Sequence, residues 1–249
     1  MRSWYNEMQG CETTDASKIR SDFDRIALLS GEGWNHNDFY HPYLLKQAAP
    51  GAEALEIGCG SGAFSRLLAG RFRRVLALDL SPRMVELAWA RSGSYPHVDY
   101  RVADATAYDF PPERFDCVAS IATLHHLPLA PTLRRMRDSL RSGGTLLVLD
   151  LFQAEGPADL AMSLAAAPVS LGLRWLKTGR LREPAEVRAA WEEHGRSDVY
   201  PTLAQVRRAC AAVLPGARVR RHLLWRYSIV WTKGAKRVPR WVPRRGSTR

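Results

Sequence analysis

Three acids and a glycine-rich turn stand where this chain could hold a small polar ligand. Glu56-Ile57-Gly58-Cys59-Gly60-Ser61-Gly62 falls between an apolar run and a helical pattern. Such a turn needs glycine because its backbone must bend sharply and let a ligand come close. The stretch also satisfies G-x-G-x-x-A through Gly58, Gly60 and Ala63, so a dinucleotide reading is open. Glu56 weighs against it, because a carboxylate beside phosphate oxygens repels, whereas a cationic or amine-bearing ligand is attracted. Asp79 ends the next apolar run, at the place where a carboxylate binds ribose hydroxyls. Asp104 follows a third run and could accept from an exocyclic amine, or be an ordinary turn aspartate. His125 and His126 come after a fourth run, and histidine near its native pKa suits a general base. The alternative is that they only pack at a helix start. His36 and His41 are rivals, in a segment from Trp34 to Tyr43 that also carries Tyr40. That mixture of aromatic and polar groups fits a cover over an organic acceptor, or an amphipathic helix against the core.

The elements that must position these residues are legible from hydrophobic period. Ala52–Ile57, Arg74–Leu78, Val98–Val102, Asp116–Ile121 and Thr145–Leu151 read as strands. Between them lie helical patterns. One runs through Phe64, Leu67 and Leu68. Another is capped by Ser81 with Pro82 at its first position, and continues through Met84, Leu87 and Ala88. A third carries Leu129, Leu133, Met136 and Leu140 on one face and ends at Gly143–Gly144. Near-continuous apolar strands alternating with helices predict a parallel sheet covered on both faces. Residues 1–50 form an N-terminal helical cover around a core at 51–151. Residues 152–215 form a helical insert, broken at Pro168, too long for a simple connection and placed to cap the site. Trp175, Trp191 and Tyr200 in it could line an acceptor pocket or pack in a core. Arg218–Leu224 and Tyr227–Thr232 read as a closing antiparallel pair within 216–233, followed by a basic tail at 234–249.

In combination these motifs resemble the class I S-adenosylmethionine-dependent methyltransferases of the small-molecule type. The match runs over about residues 51–151 through the glycine turn, Asp79-Leu80-Ser81-Pro82, Asp104-Ala105, Phe115-Asp116-Cys117-Val118, Leu124-His125-His126-Leu127 and Leu140-Arg141-Ser142-Gly143-Gly144. Ser142 replaces the proline usual in that last turn. The resemblance implies a doubly wound Rossmann-like α/β fold. Its seven-stranded sheet would be mostly parallel with an antiparallel last strand, joined by N-terminal helices and a helical lid. It implies S-adenosylmethionine as cofactor. Glu56, Gly58, Cys59 and Gly60 would serve the methionine part, Asp79 the ribose, Leu80 and Met84 the adenine faces, Asp104 and Ala105 the adenine edge, and Ile121 the methionine moiety. Candidate catalytic residues are His126, His125 and His36; candidate acceptor-side residues are Tyr40, His41 and Trp175. Methyl transfer from a sulfonium requires alignment and exclusion of water, and no metal. The histidines show no metal-ligand spacing.

Composition narrows the alternatives. The chain has 249 residues with 46% hydrophobic and 24% charged, ordinary globular usage. Its four cysteines form no CxxC pair, so neither a zinc ribbon nor a disulfide framework is expected, and a reducing cytoplasm is the default compartment. The longest apolar stretch, Ala158 to Leu173, is interrupted by Asp159 and Pro168 and predicts no membrane span. The formal net charge is +11, but seven basic residues and no acid lie between Lys233 and Arg249. A solvated tail explains that better than a nucleic-acid-binding arm. The leading expectation is methylation of a small organic acceptor at O, N or C, in specialised-metabolite biosynthesis. Alternatives are a recruited reaction that uses the sulfonium without methyl transfer, and a nucleic-acid methyltransferase using the tail. The oligomeric state is not legible, a homodimer included.

Overall fold

The computed structural model describes residues 15–29 and 35–234. Trp34, Cys11 and the basic tail beyond Gly234 lie outside them. Helices α1 (Ala16–Leu29) and α2 (His41–Leu45) precede β1 (Gly51–Ile57), α3 (Ala63–Ala69), β2 (Phe72–Asp79), α4 (Pro82–Ala90) and β3 (Val98–Val102). Then come β4 (Phe115–Ile121), a 3₁₀ turn (Leu124–His126), α5 (Leu129–Ser139), β5 (Leu140–Leu151), α6 (Pro157–Thr178), α7 (Ala185–Gly195), α8 (Leu203–Val213), β6 (Arg218–His222) and β7 (Arg226–Thr232). The strands form one sheet in the order β3-β2-β1-β4-β5-β7-β6. β7 runs antiparallel to both its neighbours, and the remaining pairings are parallel. The chain winds outward from β1 in one direction and from β4 in the other. The carboxyl ends of β1 and β4 therefore border the crevice where open α/β sheets bind ligands.

Both faces of the sheet are covered by apolar clusters. One cluster joins Leu55, Val118, Leu133, Met136 and Tyr227 to Val206, Cys210 and Val213 of α8. The other joins Leu44, Phe64, Leu68 and Val75 to Leu147 and Val230. A smaller cluster of Ile26, Ala27, Met84 and Ala190 ties α1 to α4 and α7. Ser81 caps α4 as its sequence predicts, its hydroxyl accepting from the Met84 N–H at 3.0 Å. Thr202 and Gln205 close a capping box on α8.

Four boundaries differ from the sequence reading. Gly143–Gly144 does not end the helix before a fresh strand; it lies inside β5, where the register against β4 shifts. A Cβ on Gly144 would stand 3.0 Å from the Phe115 carbonyl oxygen, so the bulge needs glycine there. Pro168 sits within a continuous α6. It removes only the hydrogen bond to the Leu164 carbonyl, and Leu164 is exposed, so water can replace that donor. The third helix of the expected lid, α8, belongs to the sheet-covering core, because Val206, Ala209 and Val213 are buried against it. The closing strands end at His222 and resume at Arg226, with the bend at Leu223–Trp225. Among the described residues, no helix is long and apolar enough to cross a membrane.

Candidate active site

The glycine turn folds over the end of β2. The Gly58 and Cys59 N–H groups donate to the Leu78 carbonyl at 2.8 and 2.9 Å. Gly58 has φ +74°, and a Cβ there would run into the Thr123 side chain, so neither its conformation nor its space admits another residue. Gly60, at φ +49°, faces open space into which a Cβ would project. Asp79 joins the turn to α4: one oxygen accepts from the Gly60 N–H at 2.7 Å and the other from the Ser81 N–H at 2.9 Å. Burial raises the Asp79 pKa, opposed by these N–H groups and that of Leu80. A carboxylate has about four lone-pair sites, so Asp79 can still accept from a ligand diol. An open glycine cradle beside such a carboxylate fits an adenosyl cofactor.

The remaining residues expected at the cofactor follow the same edge. Ile121 is buried at the end of β4, and Leu80 is half-buried just beyond β2. Met84 is buried beneath α1, which is latched by Asp24 accepting from the Ser81 hydroxyl at 2.6 Å and the Arg83 N–H at 3.2 Å. Asp104 spends one oxygen on the Thr106 N–H and hydroxyl, both at 2.7 Å. The turn role and a role toward a ligand therefore coexist. The Ala105 carbonyl accepts from Arg135.

Glu56 is fully buried and accepts from the Ser65 hydroxyl. Burial lifts its pKa to about 8, with the Asp79 charge adding to the rise and Ser65 and Arg66 opposing it. The Cys59 thiol is likewise pushed well up by burial and by the Asp79 and Glu56 charges. An acid whose folded pKa is raised contributes most to stability below its unfolded pKa and loses that contribution as pH rises through the folded value. Relative to wild type, Glu56→Gln should therefore gain stability, by several degrees in melting temperature, as pH climbs from 4.5 to about 8. Parallel melting curves of the two proteins over that range would show that Glu56 is ionised in the folded state.

The histidines separate sharply. Ala122, at φ +50°, turns the chain at the end of β4, and the following 3₁₀ turn sets His125 over the end of β5. The His125 Nδ1–H donates to Asp150 Oδ1 at 2.6 Å, and its backbone N–H donates to Asp150 Oδ2 at 2.8 Å. Its Nε2 lies 3.9 Å from Asp198, which accepts from the Tyr200 hydroxyl at 2.9 Å. Burial alone would lower the His125 pKa, but Asp150 and Asp198 together raise it above 6.5. His126 is the opposite case. Neither ring nitrogen has a hydrogen-bond partner, and burial with the His125 and His194 charges pushes its pKa down to about 2. Its ring packs on Phe23, His125 and His194.

His36 is driven down to about 4 by burial and by the Arg226 and Arg174 charges, with Nε2 2.7 Å from the Ser170 hydroxyl. His41 is also lowered to about 4 by burial and packs on Phe64, so it faces the core. The Tyr40 hydroxyl donates to the Leu223 carbonyl at 2.5 Å, fastening the N-terminal cover to the β6–β7 bend. Burial raises its pKa to about 12. Trp175 is 57% exposed on α6 and does not line an enclosed pocket. His125, His126 and Asp198 each bring one ligand atom within 4.8 Å of the others. This grouping could hold a divalent cation, and folding assembles it without any metal-binding spacing in the sequence.

Asp150, Asp198, His194, Phe23 and Arg226 escaped the sequence reading. Two carried a signal: Asp150 interrupts the apolar run Leu146–Leu151, and Arg226 interrupts the run from Leu223 to Trp231. A charge within a buried strand is rare unless it has a partner or a task.

Switch-point crevice, glycine cradle and strand-end carboxylate together define a Rossmann-like protein shaped to hold an adenosyl cofactor. Comparison with known proteins agrees. Residues 55–148 match the methyltransferase domain family. Over 173 residues the chain is 31% identical to the ubiquinone biosynthesis O-methyltransferase of Xanthomonas campestris pv. campestris, covering 63% of this chain and 70% of that protein. It is 30% identical over 203 residues to an uncharacterized methyltransferase of Mycobacterium tuberculosis, covering 80% and 96%. The crystal structure of the cyclase SpnF superposes with a TM-score of 0.62 at 14% identity, over 90% of this chain and 98% of that one. The chain belongs to the class I S-adenosylmethionine-dependent methyltransferases.

Proposed function

We propose that the protein methylates a hydroxyl oxygen of a small organic acceptor, in the biosynthesis of a specialised metabolite. The observation that carries this reading is the buried His125–Asp150 pair at the carboxyl end of β4. An oxygen nucleophile loses a proton as it is methylated, and the pair is a positioned proton acceptor. Asp150 holds the Nδ1–H, which leaves the lone pair on Nε2. The O-methyltransferase relative supports oxygen over carbon or nitrogen.

When bound, S-adenosylmethionine supplies a methyl group activated by a positive sulfur. Gly58, Cys59 and Gly60 would hold its methionine part with Glu56 behind them, Asp79 its ribose, Leu80, Met84, Asp104 and Ala105 its adenine, and Ile121 the methyl region. With the cofactor bound, the acceptor oxygen would take the methyl group it supplies, and the hydroxyl proton would pass to His125 Nε2. Asp150 and Asp198 stabilise the imidazolium formed. His126, neutral and without a hydrogen-bond partner, excludes water beside this step instead of taking the proton. The Tyr40 latch and His36 close the acceptor side.

The test supplies S-adenosylmethionine labelled in its methyl group with a panel of phenols, catechols, quinols and hydroxy acids. The expected products are labelled methyl ether and S-adenosylhomocysteine in equal amounts. The same fold serves the cyclase SpnF. Conversion of an acceptor without S-adenosylhomocysteine release would therefore replace methyl transfer with a recruited reaction.

A further inference from the structure

Arg226 opens β7, the strand that runs against the others, so it lies at the carboxyl edge beside the end of β5, paired with Leu151. Only 8% of it is exposed. Its Nε–H donates to Asn37 Oδ1 at 2.7 Å and its Nη1 to the Leu224 carbonyl at 3.3 Å. Among the described residues it joins no ion pair. The carboxylate on the neighbouring strand, Asp150, is already taken by His125 and by the Leu151 N–H. A guanidinium carries five donors and stays charged; the Asp150 charge offsets it from the next strand without a hydrogen bond to it, and a buried cation with donors unmatched is costly. The bend that presents it is strained as well: Leu224 and Trp225 both have φ +58°, a left-handed conformation that neither side chain favours. Leu224 is fully buried and the Tyr40 hydroxyl holds the Leu223 carbonyl. The fold thus spends packing and a long-range hydrogen bond on keeping Arg226 in place.

The groups whose charges bear on Arg226, or that feel its charge, are those of the proposed acceptor side. Asp150, Tyr200 and Tyr40 act on it, and its own charge acts on His36 and His125. We propose that Arg226 is the counter-ion for a carboxylate on the acceptor, bound by its free donors beside His125. This rests on the acceptor site assigned above. The planar fork of a guanidinium matches a carboxylate through two parallel hydrogen bonds. The substrate class is thereby narrowed to hydroxy acids whose carboxylate and methylated hydroxyl are carried on one compact frame.

The test uses the full chain saturated with S-adenosylhomocysteine and calorimetry with hydroxybenzoates and their neutral methyl esters. Failure of S-adenosylhomocysteine itself to bind would refute the methyltransferase site and is seen before any acceptor is added. In wild type the carboxylates should bind at least tenfold more tightly than the esters. Arg226→Gln should abolish that ratio, Arg226→Lys should retain part of it, and Arg220→Gln, at an exposed position on β6, should leave it intact. The last variant controls for general attraction of anions to a basic protein. A wild-type ratio near one, no binding of any carboxylate, or a ratio unchanged in both Arg226 variants would each overturn the assignment. The wild-type ratio and the lysine variant decide the matter should the glutamine variant fail to fold.

Discussion

Replacing His125 by glutamine is expected to lower turnover by about 10²–10⁴-fold while leaving S-adenosylmethionine affinity nearly unchanged. Glutamine keeps a donor that can reach Asp150 but takes no proton at the position of Nε2, so the substitution separates proton acceptance from packing. The pH profile makes the assignment specific. A base works only when deprotonated. The His125 pKa is raised above 6.5 by Asp150 and Asp198 against the effect of burial, so the rising limb of wild-type turnover should lie above that value. The groups facing this ring are Asp150, Asp198, His126, Tyr200 and the Arg226 charge. Asp150→Asn removes the nearest negative charge and should move the limb to lower pH. His126→Phe, in contrast, should retain most activity, because a ring with a pKa near 2 takes no proton at neutral pH. Near-normal turnover in His125→Gln, or a collapse in His126→Phe with unchanged folding, would remove His125 from the mechanism.

Asp79→Ala is expected to weaken cofactor binding by about 10²–10³-fold, since hydrogen bonds to charged groups contribute about 1.5–3 kcal/mol each. The structure makes the expected loss larger than a ribose contact alone would give. The same carboxylate restrains the glycine turn through Gly60 and the start of α4 through Ser81. Without it the two N–H groups lose their acceptor and the cradle loses its shape. Asp79→Asn should fall between wild type and alanine, because the amide offers one acceptor but places a donor against one of the two N–H groups. Calorimetry with S-adenosylhomocysteine measures all three. Equal affinity in wild type and Asp79→Ala would show that Asp79 neither binds the ribose nor shapes the turn.

The parallel sheet, the turn at Gly58–Gly62 and the acids at the strand ends were legible in the sequence because each is a local matter. Apolar runs of strand length, a cap at Ser81 and glycines at fixed spacing specify backbone geometry within a few residues. Strand ends of a parallel sheet all lie on one edge. The glycine at position 58 could even have been deduced to be irreplaceable, although its clash partner, Thr123, could not.

Which histidine can take a proton was not legible. His125 and His126 are adjacent, of one type and both within 4 Å of Asp198, and only the fold gives one of them a hydrogen bond to Asp150 while leaving the other without a hydrogen-bond partner. Burial and partner charge set a pKa, and both come from residues far along the chain. The same reason moved Trp175 to the surface, turned His41 into the core and placed Arg226 at the carboxyl edge of the sheet. Residue type and spacing determined the cofactor cradle, because backbone shape defines it. Only tertiary structure decided the chemistry beside it, because desolvation and charge pairing there depend on which distant side chains converge.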